Sequence, residues 1–249
     1  MRTLVASRAL ANLLLILAIC LPASVLADTL PHVPEIRYKV VPPEASPKPK
    51  SLLESDGWQP TAASPNMGYD SRAHWFRFSL QSPESGQVER ITRIRYPQID
   101  DIRFLLFRNG ELKTSYHTGD RQPFSERPIR HPQFLFPTSL EAGNDYEVLI
   151  RVQTNGAVQL PLRVWEPNAL FAQLSLQDQA HAMYYGILLV VVLFNLFIFL
   201  ALREATYLYY TLAISSYLLL MSTLRGTAFA VLWPQLPWLH NQMMLATIP

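Results

Sequence analysis

Met183 to Leu202 is a run of 20 residues without a charged side chain. A helix of that length crosses the hydrocarbon core of a bilayer, about 30 Å thick. Tyr207 to Leu224 is a second uncharged run, and Arg203 and Glu204 are the only charges between Met183 and Leu224. A purely soluble chain is excluded, because so long an apolar run marks a membrane span rather than a core helix. Tyr184 and Tyr185 open the first run, and Tyr207, Tyr209 and Tyr210 open the second, where interfacial aromatics belong. Arg203-Glu204-Ala205-Thr206 reads as a tight polar turn between the spans. Arg225-Gly226 opens an external loop with Trp233-Pro234 and Pro237-Trp238. Asn241 to Pro249 begins a further apolar segment too short to span, so the rest of a third span and later segments are expected beyond this sequence.

The remainder of the chain is different in kind. The 21 Lys/Arg less Arg2, Arg8, Arg203 and Arg225 leave 17 between Asp28 and Ala180, and the 19 Asp/Glu less Glu204 leave 18. That near-neutral balance asks for no nucleic acid. Arg2 and Arg8 before an apolar Leu10–Leu21 stretch, then Pro22 and Val25-Leu26-Ala27, read as an export signal cut before Asp28. Cys20, the single cysteine, lies inside it, so the mature chain has no thiol for a disulfide and must rely on a core. With the signal removed, the first span runs inward and the Arg203 turn is cytoplasmic, which agrees with the excess of basic residues on that side.

Asp28 to Pro60 carries seven prolines and reads as an irregular lead-in with one edge strand at Ile36 to Val41. From Trp75 the period becomes two. Strands are expected at Trp75–Leu80, Arg93–Tyr96, Asp101–Phe107, Leu112–His117, Gln133–Phe136, Asp145–Val152 and Ala157–Trp165. Asn109-Gly110 between two of them is a strong hairpin signal, because both central residues of a type I′ turn need positive φ. Short strands punctuated by Gly and Asn turns point to an antiparallel β-sandwich or jelly roll. After Glu166-Pro167-Asn168 the chain has no Gly or Pro until Gly186, so one helix from Ala169 enters the first span unbroken. Asn195, a polar side chain in mid-span, is expected to face another helix.

Several blocks carry a resemblance. They are Asn66-Met67-Gly68-Tyr69, His74-Trp75-Phe76-Arg77-Phe78, Tyr96-Pro97-Gln98-Ile99-Asp100 and Gly119-Asp120-Arg121-Gln122-Pro123-Phe124-Ser125-Glu126-Arg127-Pro128. Phe134-Leu135-Phe136-Pro137, Gln159-Leu160-Pro161-Leu162, Tyr184-Tyr185-Gly186-Ile187, Asn195-Leu196-Phe197, Tyr207-Leu208-Tyr209-Tyr210 and Leu232-Trp233-Pro234 continue it. In this order the blocks resemble the 7TMR-DISM group, bacterial seven-transmembrane receptors with diverse intracellular signalling modules, with an extracellular domain of the second type. The resemblance implies a jelly-roll sensor similar to carbohydrate-binding modules, seven helices, and a diguanylate cyclase or histidine kinase output absent from these residues. It implies a multi-pass protein of the bacterial inner membrane with its N-terminal domain in the periplasm. The expected division is signal 1–27, Pro-rich lead-in 28–57, sandwich 58–166, juxtamembrane helix 167–182 and membrane region 183–249, with spans at 183–202 and 207–224 and a third from about 241.

Recognition of a small-molecule ligand, a glycan by preference, needs flat apolar faces for a pyranose and planar polar groups for its hydroxyls. Trp75, Arg77, Asp120, Phe124, Arg127 and Gln159 are residues of those types, three of them in the Pro-punctuated Gly119–Pro128 loop. Asp100 and Asp101 are adjacent on a strand and so face opposite ways, which excludes an acid/base pair. The six His form neither H-x-H nor H-E-x-x-H, and no G-x-S-x-G, Walker A or G-x-G-x-x-G occurs. No enzyme, metal site or cofactor is therefore expected within the chain. The alternative to a ligand sensor is a non-catalytic module that forms a homodimer or contacts a partner sensor.

Overall fold

The structure is a computed structural model that describes residues 31–42 and 47–246. The export signal and its cleavage site lie outside the described residues. Among the described residues there are eleven strands: β1 Arg37–Val41, β2 Gln59–Pro60, β3 Asn66–Tyr69, β4 Ala73–Leu80, β5 Gln87–Ile94, β6 Asp101–Arg108, β7 Glu111–Thr118, β8 Phe134–Glu141, β9 Tyr146–Gln153, β10 Ala157–Gln159 and β11 Leu162–Trp165. Five α-helices accompany them among the described residues: α1 Pro49–Leu53, α2 Pro167–Leu202, α3 Ala205–Leu224, α4 Thr227–Val231 and α5 Pro237–Ala246.

All strand pairs are antiparallel. A six-stranded sheet in the order β2-β1-β4-β9-β6-β7 faces a three-stranded sheet, β11-β5-β8, while β10 pairs β3 beside them. The expected β-sandwich is thus present. Alternation decides which side chains meet between the sheets. Phe76, Phe78, Phe104, Leu106, Val148 and Ile150 point inward to meet Ile94, Phe134 and Phe136 in one core. Phe104 stacks on Phe136 with centroids 4.7 Å apart. Each such fully buried side chain contributes about 1.5–3 kcal/mol, which replaces the cross-links this chain cannot form. The opposite parity of the six-stranded sheet gathers Val41, Trp75, Leu105, Phe107 and Leu149 under Leu52 and Leu53 of α1.

Asn109 and Gly110 adopt φ of 51° and 78° and close the β6–β7 hairpin as expected. Three expectations change. The Ile36–Val41 strand is not an edge: β1 lies between β4 and the two-residue β2, and its flanking prolines stay outside it. The single strand expected over Ala157–Trp165 is two, because Pro161 has no ladder donor and the chain changes sheet there. The third is Asn195, whose Nδ2 donates to the Val191 carbonyl of its own helix at 2.8 Å rather than reaching a neighbour.

Helix α2 is a continuous 36-residue element. Its first turns cover the outer face of the three-stranded sheet, where Leu170 and Leu174 pack on Ile91 and Leu135. The rest projects beyond the sandwich with Met183, Val190, Phe194 and Phe197 more than half exposed, an apolar surface suited to lipid and neighbouring helices. Arg203, in the left-handed conformation, turns the chain into α3, which packs back along α2.

Candidate functional site

On the outer face of the six-stranded sheet the register sets Arg103 opposite both Arg151 and His117. Asp101, two residues before Arg103 and so on the same face, accepts from Arg151 Nη1 at 2.6 Å and meets His117 Nε2 at 2.5 Å. Arg103 Nε stands 3.8 Å from the same carboxylate and its side chain is half exposed. Burial lowers the pKa of Arg151, and Asp101 opposes that shift. The result is a fixed row of planar donors around one partly covered acceptor, with Arg103 and His117 about half exposed, the equipment for hydroxyl or carboxylate recognition.

The six residues singled out from sequence do not form one site. Trp75 and Arg77 share β4 and its outer face. Trp75 is only 4% exposed beneath α1. Arg77 donates to the Leu53 carbonyl at 2.8 Å, pairs with Glu147 and lies over the Trp58 ring at 5.9 Å, so it braces α1 against the sheet. Gln159 belongs to β10 in the separate two-stranded sheet, opposite Asn66.

Asp120, Phe124 and Arg127 come together at the other end, against the membrane helices. The Phe124 amide donates to the Pro234 carbonyl at 2.8 Å, and its ring meets Phe229 of α4 edge-on at 5.5 Å. Phe229 in turn stacks on His240 of α5 at 4.7 Å. Arg127 lies over the rings of Phe124, Phe134 and Phe229 at 4.7, 4.3 and 5.9 Å. Its Nη1 donates to the His131 carbonyl at 3.0 Å, while Nε and Nη2 are buried without acceptors. Asp120 is 2% exposed, and its Oδ1 likewise lacks a partner. Burial pushes the Asp120 carboxyl up to about 7, Asp100 adds to this, and Arg127 and Arg121 oppose it. Burial also lowers Arg127 to about 10. The Gly119–Pro128 loop is therefore a contact between sandwich and membrane region. In the sequence alone, Phe229 and His240 are only parts of an external loop.

Arg93 is visible in sequence only as a polar position of an alternating strand. It is 1% exposed on the outer face of the three-stranded sheet. Its guanidinium donates to Gln133 Oε1 at 2.6 Å, Gln173 Oε1 at 3.1 Å and Gln177 Oε1 at 3.0 Å. Gln173 and Gln177 are one turn apart on α2, so a single fork grips one face of that helix. Burial first, then Arg95, lowers Arg93 to about 10, against the pull of Asp178.

Residues 43–166 match the family model for 7TMR-DISM extracellular 2, and residues 177–249 match that for 7TM diverse intracellular signalling. No curated protein matches the chain significantly. Among solved structures, a family 35 carbohydrate-binding module from Clostridium thermocellum is 14% identical at a TM-score of 0.26, with 41% of this chain and 86% of that one covered. A xylan-binding module is 10% identical at 0.28, with 53% and 91% covered. A structure assigned as a beta-galactosidase of Bacteroides fragilis is 14% identical at 0.35, with 55% of this chain covered. The chain spans only 22% of that structure's length. At these scores the likenesses assign no ligand. The two matched regions are receptor domains rather than catalytic ones, and the helices that follow the sandwich include two long and apolar enough to cross a membrane. The chain belongs to the 7TMR-DISM family of membrane signalling receptors, with its β-sandwich as the extracellular domain.

Proposed function

We propose that the sandwich senses a small carbohydrate and that α2 passes its state to the membrane helices and on to a cytoplasmic output module. The observation that carries this reading is the continuity of α2 from Pro167 to Leu202, clamped to the sensor by Arg93 and by Leu170 and Leu174. A ligand shifts such an element only through different affinity for two arrangements. The sugar subsite is the row of Asp101, Arg103, His117 and Arg151, with Arg77 and Trp75 bracing its β4 side. Asp120, Phe124 and Arg127 act at the far end, holding the sandwich to α4 and α5. Protonation, hydride or group transfer plays no part, since recognition and transmission need only hydrogen bonds and packing. The sandwich lies in the periplasm and the output in the cytoplasm of a multi-pass inner-membrane protein.

Two experiments test the reading. Glycan-array binding of the chain in detergent should be lost on Arg103→Ala with His117→Ala; binding that survives, or dimers without any glycan binding, would favour an interaction module. In a receptor bearing an output domain, Gly-Gly inserted after Gln177 should abolish the response to ligand while leaving ligand binding intact. Unchanged signalling would refute transmission through α2.

A further inference from the structure

Every arginine of the six-stranded sheet has a carboxylate partner: Arg37 with Glu35, Arg77 with Glu147, Arg103 and Arg151 with Asp101, and Arg108 with Glu141. At the membrane-facing end the pattern fails. Arg95, Arg130 and Arg225 have no carboxylate within salt-bridge distance among the described residues, and all three are exposed. A cleft of about 230 Å³ lies among Arg95, His131, Gln177, Asp178, His181 and Arg225. It joins three elements: the sensor strand end and the 129–133 loop, helix α2, and the α3–α4 corner.

The charges around this cleft are unbalanced. Asp178 is the one carboxylate lining it, and it stands 3.8 Å from His131. Arg225 Nη1 meets His181 Nε2 directly across the gap between α3 and α2. Two guanidinium forks and two imidazoles facing one space, with a single exposed acid, form a receptor for a multiply accepting anion. Its position narrows the choice. His181 precedes the apolar run at Met183 by two residues, and Arg225 follows the last residue of α3, Leu224. The cleft therefore lies at the level of lipid headgroups, where phosphates are concentrated and soluble anions compete poorly.

We propose that this cleft binds the phosphate of an anionic phospholipid headgroup in the outer leaflet, with Arg95 and Arg225 as its principal donors. The lipid then bridges sensor, α2 and the α3–α4 corner in one contact. This site is separate from the sugar subsite and does not depend on it.

The test uses the whole chain in nanodiscs of phosphatidylcholine with increasing phosphatidylglycerol, counting retained lipid by native mass spectrometry and following thermal unfolding. The native chain should retain phosphatidylglycerol preferentially and melt higher as its content rises. Arg95→Gln with Arg225→Gln should weaken retention at least about tenfold, given the contribution of each basic residue near an anionic surface. Arg203→Gln, at the opposite end of the spans, should change nothing. Should the Gln variant fail to fold, Arg95→Lys with Arg225→Lys keeps charge without the fork and should retain part of the preference. Equal retention of the two lipids by the native chain, or undiminished retention by the Gln variant, would overturn the proposal. So would tight binding of inorganic phosphate in detergent with no preference for phosphatidylglycerol, which would identify a soluble anion instead.

Discussion

The two outer faces of the sandwich treat charge in opposite ways. On the six-stranded sheet, Arg103 and Arg151 share the Asp101 carboxylate; Arg103 is half exposed, while Arg151 and Asp101 are partly covered. On the three-stranded sheet, Arg93 is sealed under α2 and held by three glutamine carbonyls, with no carboxylate within salt-bridge distance among the described residues. Under the proposed function, the first arrangement lets Arg103, 3.8 Å from the Asp101 carboxylate, turn to a ligand's hydroxyls at small cost, because exposed ion pairs are weak. The second cannot let go cheaply, because a buried guanidinium without acceptors carries a large desolvation penalty. The proposed function thus places recognition and attachment on opposite faces of one core.

Breaking the sealed face should have the largest effect. Arg93→Ala leaves Gln133, Gln173 and Gln177 without their donor, and it should cost about 3–5 kcal/mol in chemical denaturation of the chain. A loss below about 1 kcal/mol would mean that the helix is held by Leu170 and Leu174 alone.

The junction should come next, through pH. The native carboxyl of Asp120 titrates near 7, above the value of 3.8 expected when unfolded. Between those values the folded state binds more protons than the unfolded one, so stability falls as pH rises through the window. Asp120→Asn should remove that slope, a difference on the order of 4 kcal/mol at most between pH 4 and pH 8. Denaturation midpoints that fall with pH equally in both proteins would assign the slope elsewhere.

Arg103→Ala on the open face should be the mildest, changing stability by about 0.5 kcal/mol or less, since its side chain is 52% exposed. Its expected signature is loss of glycan binding with an unchanged melting curve.

The sequence exposes what is local and conceals what is distant. Asn109-Gly110 is legible because turn chemistry acts over two residues. The spans are legible because lipid demands a long uncharged run. Strand β3 is not: its four residues include Gly68 at φ 70°, and only pairing with β10 makes it a strand. Strand β5 can be read only from Arg93 onward, because Gln87 to Arg90 have no clear alternation. Arg93 itself cannot be recognised as a clamp, since its partners on α2 lie 80 and 84 residues away. For the same reason Asp120, Phe124 and Arg127 read as ligand-binding types, although their neighbours Phe229 and Pro234 come from the membrane region. Residue type is visible in the chain; which side of the fold each type serves is not.

The central claim is that α2 joins sensor to membrane without a flexible break. Amide hydrogen exchange on the chain in nanodiscs tests it most directly. Continuous protection from Leu174 through Val190 is the expected result. A stretch between Gln177 and Tyr185 that exchanges at the rate of an unstructured peptide would contradict it.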